Sequence, residues 1–558
     1  MTAQTKNSIR IALLFALLLI PNIFALCLSI DLEYSLLRKL IYLAVVVILL
    51  LVPAIFLKAR TYFIVEGVFN FFFFPIDIAS LYLNRQSTSS AFLLNILHTD
   101  IHEATELLLS IWPLCLIVVA LWVLYFVLTF RIENTYFLSS FSRKIIGIAT
   151  LALCIGGVVA MIVFQLHTFR SKPVKKVVID SFDLAAMKLY KIYPYNLYLD
   201  LTDIIHKHCQ QQRLQQEVAS FRFGLQPSTS EPPALYVLVI GEAARYDHFG
   251  LNGYYRETTP LLSKQANIIS YERAYSQANL TSYSVPLILT RATTDNPARA
   301  YKEKSLPEAF QEAGFQSGFL AKQVPTNLVS RIMQACNYRA YNAKSIEADN
   351  NYDEDLVSQL RQYTTDSLQF FVLHSLGCHF RYEQRYPAAF EQYKPVLGTH
   401  FSYSMISEDN KELFINAYDN AILYTDHFLS SLIQYMDSLN RPAVMLYMSD
   451  HGESFWDDER QLSLHGSYRI SEYEYHVPLL VWYSEEYEAV YPAKVQALKQ
   501  NKTTPVSSDV VFYSMLDLAG IEGGVTDTTR SLCSPALLPY DTLFVHTGSG
   551  ATEPFVIR

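Results

Sequence analysis

A chain of 558 residues exceeds one compact core, since single domains usually run to roughly 100–200 residues. Hydrophobic residues make up 51% and charged residues 17%, against roughly 25% charged in a typical soluble domain. That excludes a disordered or acidic-tail protein and argues against a purely soluble one, while a net charge of −8 excludes a nucleic-acid partner held by a large basic face.

Apolar runs near the roughly 20 residues that span hydrocarbon lie at about 9–30, 40–57, 62–82, 108–130 and 145–167. They predict a transmembrane domain of five helices over residues 1–167, with the first run retained rather than cleaved. An odd number of spans puts the N-terminus and the long C-terminal region on opposite sides. Orientation does not follow from charge, because Lys6, Arg10, Lys58, Arg60, Arg131, Arg143 and Lys144 balance Arg38, Lys39, Arg85, Arg170, Lys172, Lys175 and Lys176. Between the third and fourth runs Asn95, Thr99 and Glu103 recur every four residues and so share one helix face. Spacing alone reads that face as a polar stripe on an outer loop helix.

Residues 168–232 are expected to form an interfacial connector, rich in Tyr at 188–198 and polar at 200–221, before a domain over 233–558. Apolar strands are predicted at 234–240, 369–373, 443–447, 476–482 and 542–545, with helices at 306–312, 355–363, 411–439 and 509–518. This alternation predicts an α/β domain with a mostly parallel central sheet flanked by helices. In such sheets chemistry collects at the carboxyl ends of strands. Glu242 follows the first strand, His379 the second and Asp450-His451 the third, with His465 a little further on. Carboxylates and imidazoles together suit a borderline metal such as zinc. Each alone reads as a cap, a solvated loop or a satisfied histidine; their agreement across several strand ends is what singles them out. Of seven cysteines, Cys209, Cys336, Cys378 and Cys533 lie beyond the apolar runs, and the chain has no CxxC pair to hold zinc through thiolates.

The segment from Val239 to Tyr254, reading VIGEAARYDHFGLNGY, resembles the opening motif of lipid A phosphoethanolamine transferases, membrane-anchored members of the alkaline phosphatase and sulfatase superfamily. Thr281–Pro286 (TSYSVP) resembles their nucleophile segment. Tyr418-Asp419-Asn420, Tyr424-Thr425-Asp426, Ser449–Ser454 and His465-Gly466 match further motifs in the same order. The resemblance implies an alkaline-phosphatase-like domain in which Glu242, Thr281, Asp450 and His451 bind Zn²⁺. It further implies that Thr281 is the nucleophile of a ping-pong reaction through a phosphoethanolamine-threonine. His379 and His465 match positions that bind a second metal or the phosphate oxygens, or protonate the leaving group. Asn95, Thr99 and Glu103 match residues that contact the donor head group. The implied partners are phosphatidylethanolamine as donor, lipid A as acceptor and the membrane, with a monomer as the expected state. The implied location is a bacterial inner membrane with the catalytic domain in the periplasm.

The sequence departs from the family at two places. Ser276–Leu280 (SQANL) stands where the family has Cys-Gly-Thr before the nucleophile segment, so the disulfide expected there is missing. Gly377–Arg381 (GCHFR) replaces Gly-Ser-His-Gly-Pro, which keeps His379 but alters the rim with Phe380 and Arg381. Three alternatives remain at this stage: a phosphoglycerol transferase of the lipoteichoic-acid-synthase type, phosphoethanolamine transfer to a core sugar or periplasmic glucan, and an inactive lipid-binding or sensor protein on the same scaffold. The Cys-x-Pro-x-Arg site of formylglycine sulfatases is absent, Cys533–Leu537 lacking the Arg.

Overall fold

A computed structural model describes the chain apart from residues 1, 30–31, 33–34, 85–86, 91, 94–95, 97–104, 106–107, 109–111, 169–188, 190, 227–232, 324, 326, 342–351, 399–404 and 558. Asn95, Thr99 and Glu103 lie outside the described residues, as does the basic stretch Arg170–Lys176. Two compact units result, one of Met1–Leu97 and Ile111–Lys207, the other of His98–Ser110 and His208–Arg558.

The first unit is helical. Its helices are α1 (Ala3–Leu18), α2 (Ile20–Leu28), α3 (Leu36–Leu51), α4 (Ala59–Phe69), α5 (Phe74–Asn84), α6 (Trp112–Phe130) and α7 (Ser140–Thr168), with α8 (Tyr195–Val218) carrying the chain onward. Helix thus forms at each of the five apolar runs, but not as five uninterrupted spans. Among the described residues, two helical stretches are long and apolar enough to cross a membrane, Ala59–Tyr82 and Trp112–Phe130, and three if the bent pair α1 and α2 is one span. The first run breaks because Pro21 sits in the first turn of α2, where it cannot continue the preceding ladder, and the axis turns by 41°. The second run ends after 16 residues, at a short 3₁₀ turn that starts on Pro53.

Described residues of the 168–232 connector pack into the first unit. Tyr193 and Asn196 are buried in the first unit. Asn22 accepts from the Tyr193 N–H at 3.2 Å and from the Tyr42 hydroxyl at 2.9 Å, and its amide donates to the Tyr193 carbonyl at 2.9 Å. Asn196 donates to Asp77 at 2.6 Å.

The second unit is built on a seven-stranded sheet. In chain order the strands are β1 (Leu235–Gly241), β2 (Ile268–Tyr271), β3 (Gln316–Ala321), β4 (Tyr338–Tyr341), β5 (Gln369–His374), β6 (Ala443–Ser449) and β7 (Leu479–Tyr483), and their order across the sheet is β2-β7-β6-β1-β5-β3-β4. The five from β6 to β4 run parallel, while β7 pairs antiparallel with both β6 and β2. The sheet is therefore mostly parallel, as the alternation predicts. Every residue of β1 is buried, and period-2 geometry divides them: Tyr236, Leu238 and Ile240 enter the core on one face, Leu235, Val237 and Val239 the core on the other. Helices α9 (Thr281–Leu289), α10 (Leu306–Glu312), α11 (Glu354–Tyr363), α12 (Lys411–Asp437) and α13 (Val510–Leu518) flank it.

Two sequence expectations shift. The strand predicted over 542–545 forms, but it pairs with Thr552–Val556 in a separate two-stranded ribbon. Strand β3 escapes a propensity reading because Gln-Ser-Gly-Phe-Leu-Ala has no β-branched residue. Gly318 stands there because a Cβ would come within 2.1 Å of the Phe371 ring on β5.

Candidate active site

Strand ends place the chemistry. Glu242 follows β1, the turn from Ser375 to His379 follows β5, Asp450 and His451 follow β6, and Thr281 opens α9. The turn after β1 puts Ala243 at φ 54°, a strained position for a residue with a Cβ. Three hydrogen bonds hold it: Ala243 N donates to Asp450 Oδ1 at 3.1 Å, Ala244 N to Ser449 Oγ at 2.8 Å, and the Tyr418 hydroxyl to the Ala243 carbonyl at 2.6 Å. Opposite, Gly377 adopts φ 48°, and a Cβ there would stand 2.9 Å from the backbone N and O of Glu242. Asp353 fixes that turn by accepting from Leu376 N at 2.8 Å and Gly377 N at 2.9 Å.

These turns bring Glu242, Thr281, Asp450 and His451 together. Thr281 Oγ1 donates to Glu242 Oε2 at 3.1 Å and lies 3.2 Å from His451 Nε2. His451 Nε2 is also 3.4 Å from Glu242 Oε1 and 3.4 Å from Asp450 Oδ2, and its Nδ1 is 2.8 Å from the Gly452 carbonyl. The His465 ring centroid lies 4.2 Å from that of His451, and His465 Nδ1 faces the buried Glu453 at 3.2 Å. His379 sits on the turn after β5, with Nδ1 3.3 Å from the Phe380 carbonyl. Ligand atoms of Glu242, His451 and His465 all fall within 4.8 Å of one another.

Burial sets the electrostatics. Glu242, Asp450 and His451 are each fully buried. Burial and the neighbouring Glu242 charge push the Asp450 carboxyl up to about 7. Burial alone would depress the His451 imidazole, but Asp450 and Glu242 raise it to about 10. For Glu242 the penalty of burial is outweighed by hydrogen bonding and charge from His451, which hold its carboxyl well below the usual range. Two carboxylates thus share one imidazolium, and Asp450 Oδ2 is buried without a hydrogen-bond partner among the described residues. A buried acceptor in that state is costly, and the set of carboxylate, imidazole and hydroxyl oxygen suits a divalent cation of zinc type. The residues therefore fit a divalent cation: Glu242, His451 and His465 offer ligand atoms within 4.8 Å of one another, and Thr281 and Asp450 stand against His451 in the same group.

Other expected residues take structural roles. Asp419 accepts from Arg256 at 2.8 Å and from the Tyr254 hydroxyl at 2.9 Å, and faces His248 Nδ1 at 2.7 Å. Asp426 accepts from the backbone N–H groups of Leu261 and Leu262 at 2.9 and 2.8 Å. These motif residues pin the chain after the Glu242 turn rather than face Thr281. Arg381, at the altered rim, donates to Glu383 at 2.7 Å. In place of the missing disulfide, the Ser276 hydroxyl donates to the carbonyls of Ala278 and Asp450. Sequence reasoning missed Gln323, whose amide donates to Glu242 Oε2 at 2.8 Å and to the Ser375 carbonyl at 2.9 Å. It follows β3, so the strand-end rule finds it only once that strand is recognised.

Comparison with known proteins follows the same lines. A sulfatase family profile matches residues 234–521. The chain is 34% identical over 292 residues to the Kdo(2)-lipid A phosphoethanolamine 7''-transferase of Escherichia coli K12, covering 50% of each protein, so it spans about half the length of this curated relative. By structure it is similar to the C-terminal periplasmic domain of E. coli EptC in complex with Zn, with TM-score 0.53 and 24% identity, covering 60% of this chain and 95% of that one. It is also similar to the integral membrane lipooligosaccharide phosphoethanolamine transferase A of Neisseria meningitidis, with TM-score 0.65 and 21% identity, covering 84% and 86%.

Proposed function

The chain belongs to the sulfatase family, and from that premise we propose that it transfers phosphoethanolamine from phosphatidylethanolamine to a phosphate of lipid A. The observation that carries the reading is the Thr281 hydroxyl, 3.1 Å from Glu242 and 3.2 Å from His451 at the start of α9. A formylglycine sulfatase would need a cysteine there. A curated relative named Kdo(2)-lipid A phosphoethanolamine 7''-transferase supports the transferred group and an acceptor that contains lipid A.

A zinc ion held by Glu242, Thr281, Asp450 and His451 would supply Lewis acidity that favours the alkoxide of a hydroxyl otherwise too weak to attack phosphorus at neutral pH. In the first step Thr281 Oγ1 gives its proton to solvent and bonds to the donor phosphorus, and the bond from phosphorus to the glycerol oxygen breaks. That oxygen takes up one proton, from His379 or His465, and leaves as diacylglycerol, so protons balance. In the second step a lipid A phosphate oxygen bonds to the same phosphorus as the bond from phosphorus to the Thr281 oxygen breaks, and the acceptor's proton and one from solvent restore Thr281 and the histidine. Gln323 holds Glu242 and the Ser375 turn in register, and Glu453 orients His465.

On this reading residues 1–167 anchor the enzyme with five spans, 168–232 lie at the head-group layer, and 233–558 face the periplasm from the inner membrane as a monomer. Asn95, Thr99 and Glu103 are then assigned to the donor head group. Mass spectrometry of lipid A from cells with and without this protein tests the reaction: one added phosphoethanolamine per modified phosphate is expected. A phosphoglycerol mass, an adduct on core sugar or glucan, or no change would overturn it. Placement is tested with an impermeant thiol reagent on Leu538→Cys in a Cys209→Ser background, Leu538 being exposed and Cys533 buried. Labelling in intact spheroplasts is expected; protection until lysis would reverse the topology.

A further inference from the structure

Beside the groups used above lies another fully buried carboxylate, Glu474, on the single helical turn Glu472–Tyr475 that precedes β7. Its Oε2 accepts from Asn279 Nδ2 at 2.7 Å and from the backbone N–H of Ser467 at 3.1 Å, and its Oε1 accepts from Ser454 Oγ at 2.9 Å. The Asn279 amide also donates to the Ser467 carbonyl at 2.8 Å, and the Glu474 carbonyl accepts from Gly452 N at 2.8 Å.

Each partner belongs to a different site segment. Asn279 stands two residues before Thr281, Gly452 directly after His451, and Ser467 two residues after His465. The side chain therefore joins Asn279 to Ser467 and to Ser454, three residues after His451, while the backbone carbonyl holds Gly452; Thr281, His451 and His465 themselves arrive from chain positions about 170 and 14 residues apart. All three side-chain partners of Glu474 are neutral donors, so its acceptor geometry is used without the compensation of an ion pair. An apolar residue of similar volume would serve packing alone at less cost.

We infer that Glu474 is a positioning residue for the transfer reaction. It locks the Thr281, His451 and His465 segments in one frame through its hydrogen bonds. The role rests on the reading of Thr281 as nucleophile. Small displacements of a reacting group cost large factors in rate, and a group that acts through orientation lowers the rate of the chemical step more than it weakens substrate binding. Glutamine can keep the key acceptor: its oxygen faces Asn279 and Ser467 while its NH₂ turns to Ser454 Oγ, which can accept. Leucine keeps the volume and loses every side-chain bond, leaving only the backbone bond to Gly452.

The test uses the full chain in detergent micelles containing phosphatidylethanolamine, and measures formation of the covalent Thr281 adduct by intact-protein mass in a single turnover. Glu474→Leu is expected to slow adduct formation about 100-fold with donor KM within about twofold, at unchanged zinc content per folded chain. Glu474→Gln is expected to recover to within about fivefold of the parent. Should the leucine variant fail to fold, Asn279→Ala cuts the same link from the nucleophile side and is expected to give a similar loss. The inference is overturned if folded, zinc-loaded Glu474→Leu or Asn279→Ala forms adduct at the parent rate, or if Glu474→Gln is as slow as Glu474→Leu. A parent enzyme that forms no adduct on Thr281 overturns the nucleophile reading and this role with it.

Discussion

The two units differ in what they leave on the outside. The helical unit buries apolar clusters around Tyr62, Phe63 and Val46 but also leaves large apolar side chains outside, with Leu36, Phe56 and Phe141 each about three-quarters exposed, and polar side chains such as Asn22, Glu66 and Asp77 lie inside. In the α/β unit β1 is apolar and buried on both faces, and the buried polar groups collect just past the strand ends. Lipid as solvent accounts for the first pattern, since tails welcome Leu and Phe while a polar group must find partners within the protein. Water accounts for the second. The lesson lies in what the buried polar groups do. Asn22 uses both ends of its amide to hold Tyr193 and Tyr42, a purely architectural task. Asp450 instead stands with His451, Thr281 and Glu242 in a group of carboxylate, imidazole and hydroxyl ligand atoms, an arrangement that suits a cation.

Perturbations separate these roles. Thr281→Ala should show the largest effect: turnover falls to background in the lipid A assay, and the melting temperature stays within a few degrees because a half-buried hydroxyl adds little to packing. Measurable transfer by this variant would remove the threonine from the mechanism. Chelation comes next. Activity should vanish and return on adding zinc, and the α/β unit should melt at lower temperature without metal, because two buried carboxylates then share one imidazolium. Full activity in chelator would detach the cluster from the chemistry.

Asp419→Ala should destabilise the α/β unit by about 3–5 kcal/mol, since it strands the part-buried Arg256 and His248. Turnover per folded molecule should change less than tenfold, because Asp419 pins the chain and does not face Thr281. A stable variant with abolished turnover would move Asp419 into the reacting site. The smallest effect is expected in the helical unit, where Asn22→Ala should lower the stability of the detergent-solubilised protein by about 1–3 kcal/mol through the lost partners of Tyr42 and Tyr193. Unfolding in increasing denaturing detergent would measure it; an unchanged midpoint would show that these bonds are replaced by water or lipid.

How far the sequence reaches depends on the range of the interaction. Apolar runs and strand-helix alternation are local patterns set by solvent, so the helical N-terminal third, the mostly parallel sheet and the strand-end positions of Glu242, Asp450 and His451 were legible in the chain itself. So was Thr281, through its motif. The break of the first run at Pro21 was only half legible, because a proline shows where a helix is interrupted but not by what angle. Only the tertiary structure could show that Gln323 touches Glu242 or that Gly377 cradles it, and that Asp419 and Asp426 serve the scaffold. It alone shows Glu474 drawing three segments together. Those facts depend on contacts between residues tens to hundreds of positions apart, and a hydrogen bond at 2.7 Å leaves no periodicity along the chain to read.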